Sequence, residues 1–414
     1  MVMSTRTRHI KVGGVLYTRQ TGNRSLLSDF ARAIKERGWK VGGVVQEVLE
    51  AADGTREGVD IVDIHSGDRI PISRPTNESM SSGTCTLDRG ALADSTAPLR
   101  DAINRNVDLM IVEKFGEREQ DGSGLADEIL EAVAQGIPTL VSVPAEALED
   151  WNAFSGGMSD LLPSTPEALW RWWGPQNLYR ELAHSVEDGP VERIVIGLNW
   201  TLVQGPNGVG LAQSPRKGTP GCNSLPDSAS LPDKGLKELA QLATSWNPFE
   251  TAIGIAAINA YTNTESKIAA LKTTGENGLD VFKDVDGPVS IVGRFPYLDD
   301  RLPEANIIER QPKAGEFPEP AFGELIGNAE AAIITAATLV DHSLANIMAA
   351  ARNTRVALVG PGVPLNPWLH NHGIEVLSGL LIEDADGAAR AVAEGAGAKR
   401  LKTFGREITL RIED

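Results

Sequence analysis

The sequence is poor in what several protein classes require. Its 414 residues include two cysteines, Cys85 and Cys222, too few and too far apart for a disulfide framework or a four-thiolate zinc site. No run of 18 apolar residues occurs, so no membrane-spanning helix is expected. The first residues lead straight into a strand-like run without a leader-type apolar segment, and a cytoplasmic protein is expected. Basic residues are outnumbered, 39 Lys and Arg against 56 Asp and Glu, for a net charge of −17. That argues against non-specific nucleic-acid binding and against docking on anionic lipid, both of which need clustered cations. It leaves room for an anion held locally by backbone N–H groups. There is no internal repeat at a fixed period, no G-x-G-x-x-G, no G-x-S-x-G elbow and no HExxH.

What is present is an ordinary globular composition, 41% hydrophobic and 23% charged, with 42 glycines for tight turns. The length suggests two or three domains. A first block, 8–174, alternates strands (9–18, 39–46, 107–113, 137–143) with helices (25–37, 87–104, 125–135). A shorter strand pair lies at 59–64 and 69–72, joined at Gly67-Asp68, and a polar loop lies at 74–86. The alternation predicts a parallel sheet covered on both faces. The block closes on a tryptophan-rich helix whose Trp170, Trp172 and Trp173 read as packing groups before a stacking platform.

A middle block, 177–285, opens with a helix. It continues with a strand at 192–200, a hairpin turn at 205–208, a long Pro/Gly/Ser loop at 213–233 and helices at 234–243 and 248–261. The last block, 286–414, alternates again, with strands at 289–293, 305–309, 331–335, 356–360 and 374–377 and helices near 320–327, 341–352 and 386–395.

Four places carry chemistry. The first βα turn, Tyr17 to Ser25, stands where a phosphate loop would, but keeps only Gly22. Asn23 takes the lysine place and Tyr17 the first glycine place. Glu113 ends a buried strand where nucleotide hydrolases keep a magnesium carboxylate, and Lys114 follows it. Efficient NTP hydrolysis is not expected there. An anion or nucleotide site on Gly22, Asn23, Arg24 and Ser25 with Glu113 and Lys114, and an ordinary βα turn, both stand. In the last block Gly293-Arg294 ends one strand and Glu309 the next, where an acid can take ribose hydroxyls. Thr335, Thr338 and Asp341 follow a third strand, Thr338 or Asp341 being able to cap the next helix. Gly360-Pro361 ends a fourth. Small polar loops thus gather at the carboxyl ends of parallel strands, where open α/β sheets bind ligands. His370-Asn371-His372 reads as solvent-exposed histidines before it reads as a metal pair, and Cys85 and Cys222 as unremarkable thiols before soft metal ligands.

From 180 to 395 the chain resembles a bacterial and archaeal family of heavy-metal chelation proteins. The likeness rests on 254–260 (GIAAINA), 291–296 (IVGRFP), 308–310 (IER), 334–341 (ITAATLVD) and 358–364 (LVGPGVP). It implies a small α+β domain like the enolase N-terminal domain, joined to a Rossmann-like domain with the site in the cleft between them. Carried over, Asn259, Gly293, Glu309, Thr335, Thr338, Asp341 and Gly360 line it. The family tends to read Thr-Gly-Thr-Thr-Leu-Val-Asn where this chain has Ala336, Ala337 and Asp341. An Asp in place of Asn favours a cation or turns a donor into an acceptor. Residues 10–173 resemble a second family, related in fold to small nucleoside triphosphatases and often encoded near molybdate transporters. That likeness rests on 30–34, 41–46, 85–88, 111–116 and 136–138, and implies a P-loop-type core with a decayed phosphate loop.

The expected protein is therefore α/β throughout: a degenerate P-loop-NTPase-like parallel-sheet domain (8–174), a small α+β domain (177–285) and a Rossmann-like domain (286–414). The leading expectation is a cytoplasmic metal- or oxyanion-binding protein of molybdenum or heavy-metal homeostasis. Its ligand is a heavy metal, molybdate or a metal-bearing small molecule in the C-terminal cleft, with Glu309 and Asp341 as metal ligands and a nucleotide at the N-terminal block. A homodimer and a metalloenzyme client are the protein partners expected. The rival is an enzyme acting on a nucleotide- or pterin-like molecule in the same cleft, with Glu309 or Asp341 as acid/base. A third reading is an interaction scaffold with no small ligand.

Overall fold

The computed structural model describes residues 11–18, 20–52, 55–74, 94–215, 225, 229–296 and 298–412. Cys85, Cys222, nearly all of the loop at 74–86, the start of the helix expected at 87–104 and most of the loop at 213–233 lie outside them. The chain divides into two compact units, Met1–Trp172 and Trp173–Asp414.

The first unit is a seven-stranded sheet of β1 (Val12–Tyr17), β2 (Val41–Glu50), β3 (Arg56–Asp63), β4 (Arg69–Ser73), β5 (Leu109–Val112), β6 (Thr139–Pro144) and β7 (Asp160–Pro163). The order is β4-β3-β2-β5-β6-β1-β7. From β2 to β7 every neighbour pair is parallel. β5 and β6 are buried along their whole length, which is why they read as continuous apolar runs. The expected parallel sheet is there, with the short strand pair added at one edge. β2, β3 and β4 are joined by connections far too short for a parallel crossover and pair antiparallel. The helix Leu26–Glu36 buries Leu26, Leu27, Phe30, Ala31 and Ile34, the face its 3.6-residue spacing marks. Trp170 packs edge-on against Phe30 at 5.0 Å, with the Arg37 guanidinium over its ring.

The second unit holds a three-stranded antiparallel sheet and an eight-stranded sheet. The small sheet is β8 (Arg193–Ile196), β9 (Trp200–Gln204) and β10 (Val209–Gln213). The single strand expected at 192–200 is in fact a hairpin, because the chain reverses at Gly197, whose N–H donates to Trp200 O. The large sheet contains β11 (Thr273–Thr274), β12 (Val289–Val292), β13 (Asn306–Glu309), β14 (Phe317–Pro318), β15 (Ala331–Thr335), β16 (Arg355–Val359), β17 (Val376–Ile382) and β18 (Gly405–Arg411). Its order is β11-β18-β17-β16-β15-β12-β13-β14. The six strands β12 to β17 are parallel and, counted in chain order, stand 3-2-1-4-5-6, the order of a doubly wound nucleotide-binding sheet. β18 pairs antiparallel with β17.

One hydrophobic core serves both sheets of this unit. It takes Val203 and Ala212 from the small sheet, Val292, Ile334 and Leu358 from the large one, and most of the helix Pro248–Thr262 between them. Segments 177–285 and 286–414 therefore share one core. That helix is apolar all round and almost wholly buried, as a helix enclosed on every side must be. It lies directly on β10: a β-carbon at Gly210 would stand 1.9 Å from Ala256 O.

Candidate functional site

In the 3-2-1-4-5-6 order the crossovers leave β12 and β15 in opposite directions. The loops at their carboxyl ends part, and a crevice opens between them. A cavity of about 700 Å³ lies there. One wall is built by the turns after β12 (293–296), β13 (309–310), β15 (335–338 and 340–341) and β16 (359–362). The far wall is built by the end of β10 (213–215), the start of β9, the middle of β17 and a short segment around Lys399.

Eight of the nine C-terminal residues singled out from the sequence line this cavity: Gly293, Arg294, Glu309, Thr335, Thr338, Asp341, Gly360 and Pro361. Gly293 needs its glycine twice over. Its φ is +96°, and a β-carbon would stand 2.7 Å from Thr335 Cγ2. The Glu309 carboxylate ties two turns together, accepting the Arg294 N–H at 2.8 Å and the Arg310 N–H at 3.1 Å. Asp341 accepts the Ser343 N–H at 2.9 Å through Oδ1 and the Arg310 guanidinium through Oδ2. Arg310 also donates to Glu319 at 2.7 Å, and Arg294 forks onto Glu316. Thr338 does not cap the helix Ser343–Ala350; its hydroxyl donates to Thr335 O at 2.7 Å. The N–H of Ala337 is answered by the Thr335 hydroxyl.

Asn259 is the exception. It is fully buried, away from the cavity wall, because it sits on the enclosed helix. Its Nδ2 donates to Leu211 O at 2.7 Å and to Gly362 O at 2.9 Å. One turn later the Asn263 amide donates to Val363 O and accepts the Leu365 N–H, both at 2.9 Å. The two asparagines brace the loop that forms the cavity floor.

A heavy-metal ion held by the protein alone does not fit these residues. Among the described residues no group of three or more His, Cys, Asp or Glu is placed to hold a metal. Among the described residues no Cys, His or Met lines the cavity, and both carboxylates proposed as ligands are engaged with protein donors. The His370-Asn371-His372 segment is not an exposed pair. It ends a 3-10 helix, Pro367–His372, on whose inner side His372 is buried. His372 Nε2 lies 2.9 Å from Glu181 Oε2, while the Trp173 indole N–H donates to Glu181 Oε1 at 2.9 Å. His370 Nδ1 bonds Ile374 O at 2.7 Å, and burial pushes the ring's pKa down.

In the N-terminal unit the first βα turn closes largely on itself. Gly22 N–H donates to Thr18 O at 2.9 Å, Asn23 Oδ1 accepts both the Ser25 N–H and its hydroxyl, and Arg24 pairs with Glu50. Glu113 directly follows β5, accepts the Gln46 N–H at 3.1 Å and has its pKa raised to about 7 by burial, against the pull of that N–H and of Lys114. Burial, with Glu113 and Glu146 nearby, raises the Tyr17 hydroxyl to about 12. Sequence reasoning missed Arg310, although it adjoins Glu309, and missed Gln213, Trp200 and Lys399, whose place on the cavity wall had no local signal.

Comparison with known proteins agrees with this division. Residues 12–172 match a family described as "Protein of unknown function (DUF2478)". Residues 179–262 and 278–411 match two families, each described as "Putative heavy-metal chelation". A curated relative, "Molybdenum import ATP-binding protein ModC 2" of Bradyrhizobium diazoefficiens, is 34% identical over 163 residues, 39% of this chain but 18% of its own length. A solved protein of unknown function from the DUF364 family of Desulfitobacterium hafniense is 29% identical at a TM-score of 0.53, covering 57% of this chain and 98% of its own. A Pyrococcus horikoshii protein of the same family, 18% identical at a TM-score of 0.50 over 57% of this chain and 99% of its own, shares the fold. The chain thus joins an N-terminal unit matching the DUF2478 family to a C-terminal unit assembled from the two heavy-metal chelation segments.

Proposed function

We propose that the C-terminal unit binds a compact polar organic molecule, and that any heavy metal or molybdenum the protein handles arrives chelated by that molecule. The carrying observation is the cavity itself. Its volume of about 700 Å³ falls in the range of roughly 300–1,000 Å³ typical of small-molecule sites, and is far larger than a bare ion needs. The absence of a ligand cluster among the described residues supports the same reading. On it, Gly293, Arg294, Glu309, Thr335, Thr338, Asp341, Gly360 and Pro361 form the wall that meets the guest, with Asn259 as the brace behind it. Both carboxylates accept protein N–H donors, which suits them to orienting a guest better than to moving a proton. The likenesses to chelation families and to a molybdenum-import ATP-binding protein support a cytoplasmic role in heavy-metal or molybdenum homeostasis. The N-terminal unit is read as a docking or anion-binding module of that system. Its anion reading draws less support, since Asn23 and Arg24 are engaged and Glu113 lies close to Tyr17.

Native mass spectrometry with elemental analysis of anaerobically purified protein tests the proposal. The expected result is an added organic mass, with any metal leaving together with it on denaturation. The variant Glu309→Gln/Asp341→Asn is expected to lose that mass while remaining folded. Stoichiometric metal retained without an organic component refutes the proposal, and an organic mass kept by the double variant removes the site assignment.

A further inference from the structure

The charge of the cavity runs against the charge of the chain. The protein carries −17 overall, yet five cationic side chains line the cavity against four acidic ones. The cations are not equivalent. At the β13 end Arg294 and Arg310 are held by Glu316, Glu319 and Asp341, and Arg301 by Asp280. At the opposite end Lys402 pairs with Glu407, while Lys399 has no acidic partner among the described residues. Gln213 on the same wall likewise has no side-chain hydrogen bond among them. The two belong to one end of the cavity: Gln213 stands opposite Trp200 across the β9–β10 ladder, and Trp200 packs in one cluster with Leu380 and Ala398, the residue before Lys399.

From this we infer the chemical class of the guest: an anionic heterocycle, a nucleoside monophosphate or a pterin phosphate in size, whose acidic group is received by Lys399 and Gln213. The far end, with Glu309 across the strand switch, takes its neutral, hydroxyl-bearing part. A cation without a carboxylate partner at the same end of the cavity as an unengaged amide donor is the combination that a phosphate or carboxylate completes with charge-assisted hydrogen bonds. The β13 end cannot serve, because each of its guanidinium groups is already engaged by a carboxylate. The inference rests on the proposed binding role and adds to it the sign and placement of the guest's charge.

Titration calorimetry of the full chain with guanosine and with guanosine 5′-monophosphate reads it out. The monophosphate is expected to bind about tenfold tighter, the factor one charge-assisted contact commonly contributes, with the advantage shrinking as salt rises. Lys399→Glu, at an exposed position, removes the advantage, so that the two probes bind alike; Lys399→Arg retains it. Equal binding of the two probes, or an advantage that survives Lys399→Glu, overturns the inference while leaving the proposed role intact. If neither probe binds, the inference is equally overturned, and the mass-spectrometric test above decides the proposed role separately.

Discussion

Replacing Asn259 tests whether the cavity floor depends on a residue that never touches the cavity. The Asn259 side chain is fully buried, and its amide donates to Leu211 O and Gly362 O at 2.7 and 2.9 Å. Water cannot replace them, because helix and strand are in backbone contact at Gly210. Asn259→Ala therefore strands two buried carbonyls, each costing about 1–3 kcal/mol. Part of this is returned, since the Asn259 Oδ1 is itself buried without a partner. The net expectation is a loss of about 3 kcal/mol from the C-terminal unit. With a urea m-value near 2 kcal/mol/M, that lowers its unfolding midpoint by roughly 1.5 M. Asn259→Asp keeps the shape but turns oxygen toward both carbonyls, so it is expected to cost at least as much. Urea unfolding followed by tryptophan fluorescence measures both, with an unchanged slope showing that the same unit unfolds. A midpoint for Asn259→Asp indistinguishable from the unsubstituted chain would refute the brace.

Two further outcomes follow from the same geometry. Glu113 has a folded-state pKa near 7, above its unfolded value of 4.5, so between those values the folded state binds the extra proton. Stability of the N-terminal unit is then full below about pH 4.5, falls as pH rises through 7 and levels off above it, an effect of order 3 kcal/mol. Glu113→Gln is expected to flatten that slope in melts taken from pH 5 to 8; an equally steep slope in the variant assigns it to other groups. Gly293→Ala puts a β-carbon at φ +96° and 2.7 Å from Thr335 Cγ2. It is expected to cost about 1–3 kcal/mol and to weaken guest retention, and a variant with unaltered melting and retention would show that the β12 turn is not constrained as described.

How far the sequence spoke depended on how local each cause was. Parallel strands buried on both faces announce themselves as apolar runs, which is why β5, β6 and β12 were legible. β7, mostly exposed, and β18, whose first half alternates with charged residues, carry no such run and were missed. Glycine and small polar residues at strand ends marked Gly293, Thr335 and Gly360 as one edge, because in a parallel sheet the chain direction alone puts those ends together. From sequence Asn259 reads as a wall residue, because the fact that moves it, the enclosure of its helix on every side, is not local. Lys399 lies more than 100 residues from Gly293 and reaches the same cavity only through the packing of the β17–β18 edge, which no local pattern encodes.

The Asp at position 341 shows why a charge read from sequence needs its neighbours before it becomes a ligand. On sequence grounds an Asp there favours a cation, and a metal is one candidate. In the fold the cation is the chain's own: Arg310, carried on the turn after the neighbouring strand β13, reaches across to Asp341 while Glu309 binds the Arg310 N–H. The added negative charge is answered within the protein and fixes the relation of two turns that flank the strand switch. An ion entering between them would have to displace a guanidinium held by two carboxylates, Asp341 and Glu319, and would leave that guanidinium without partners in the cavity wall. A guest that brings its own chelated metal avoids this exchange, and so the same residues that argue against a bare ion are compatible with a chelating family's name.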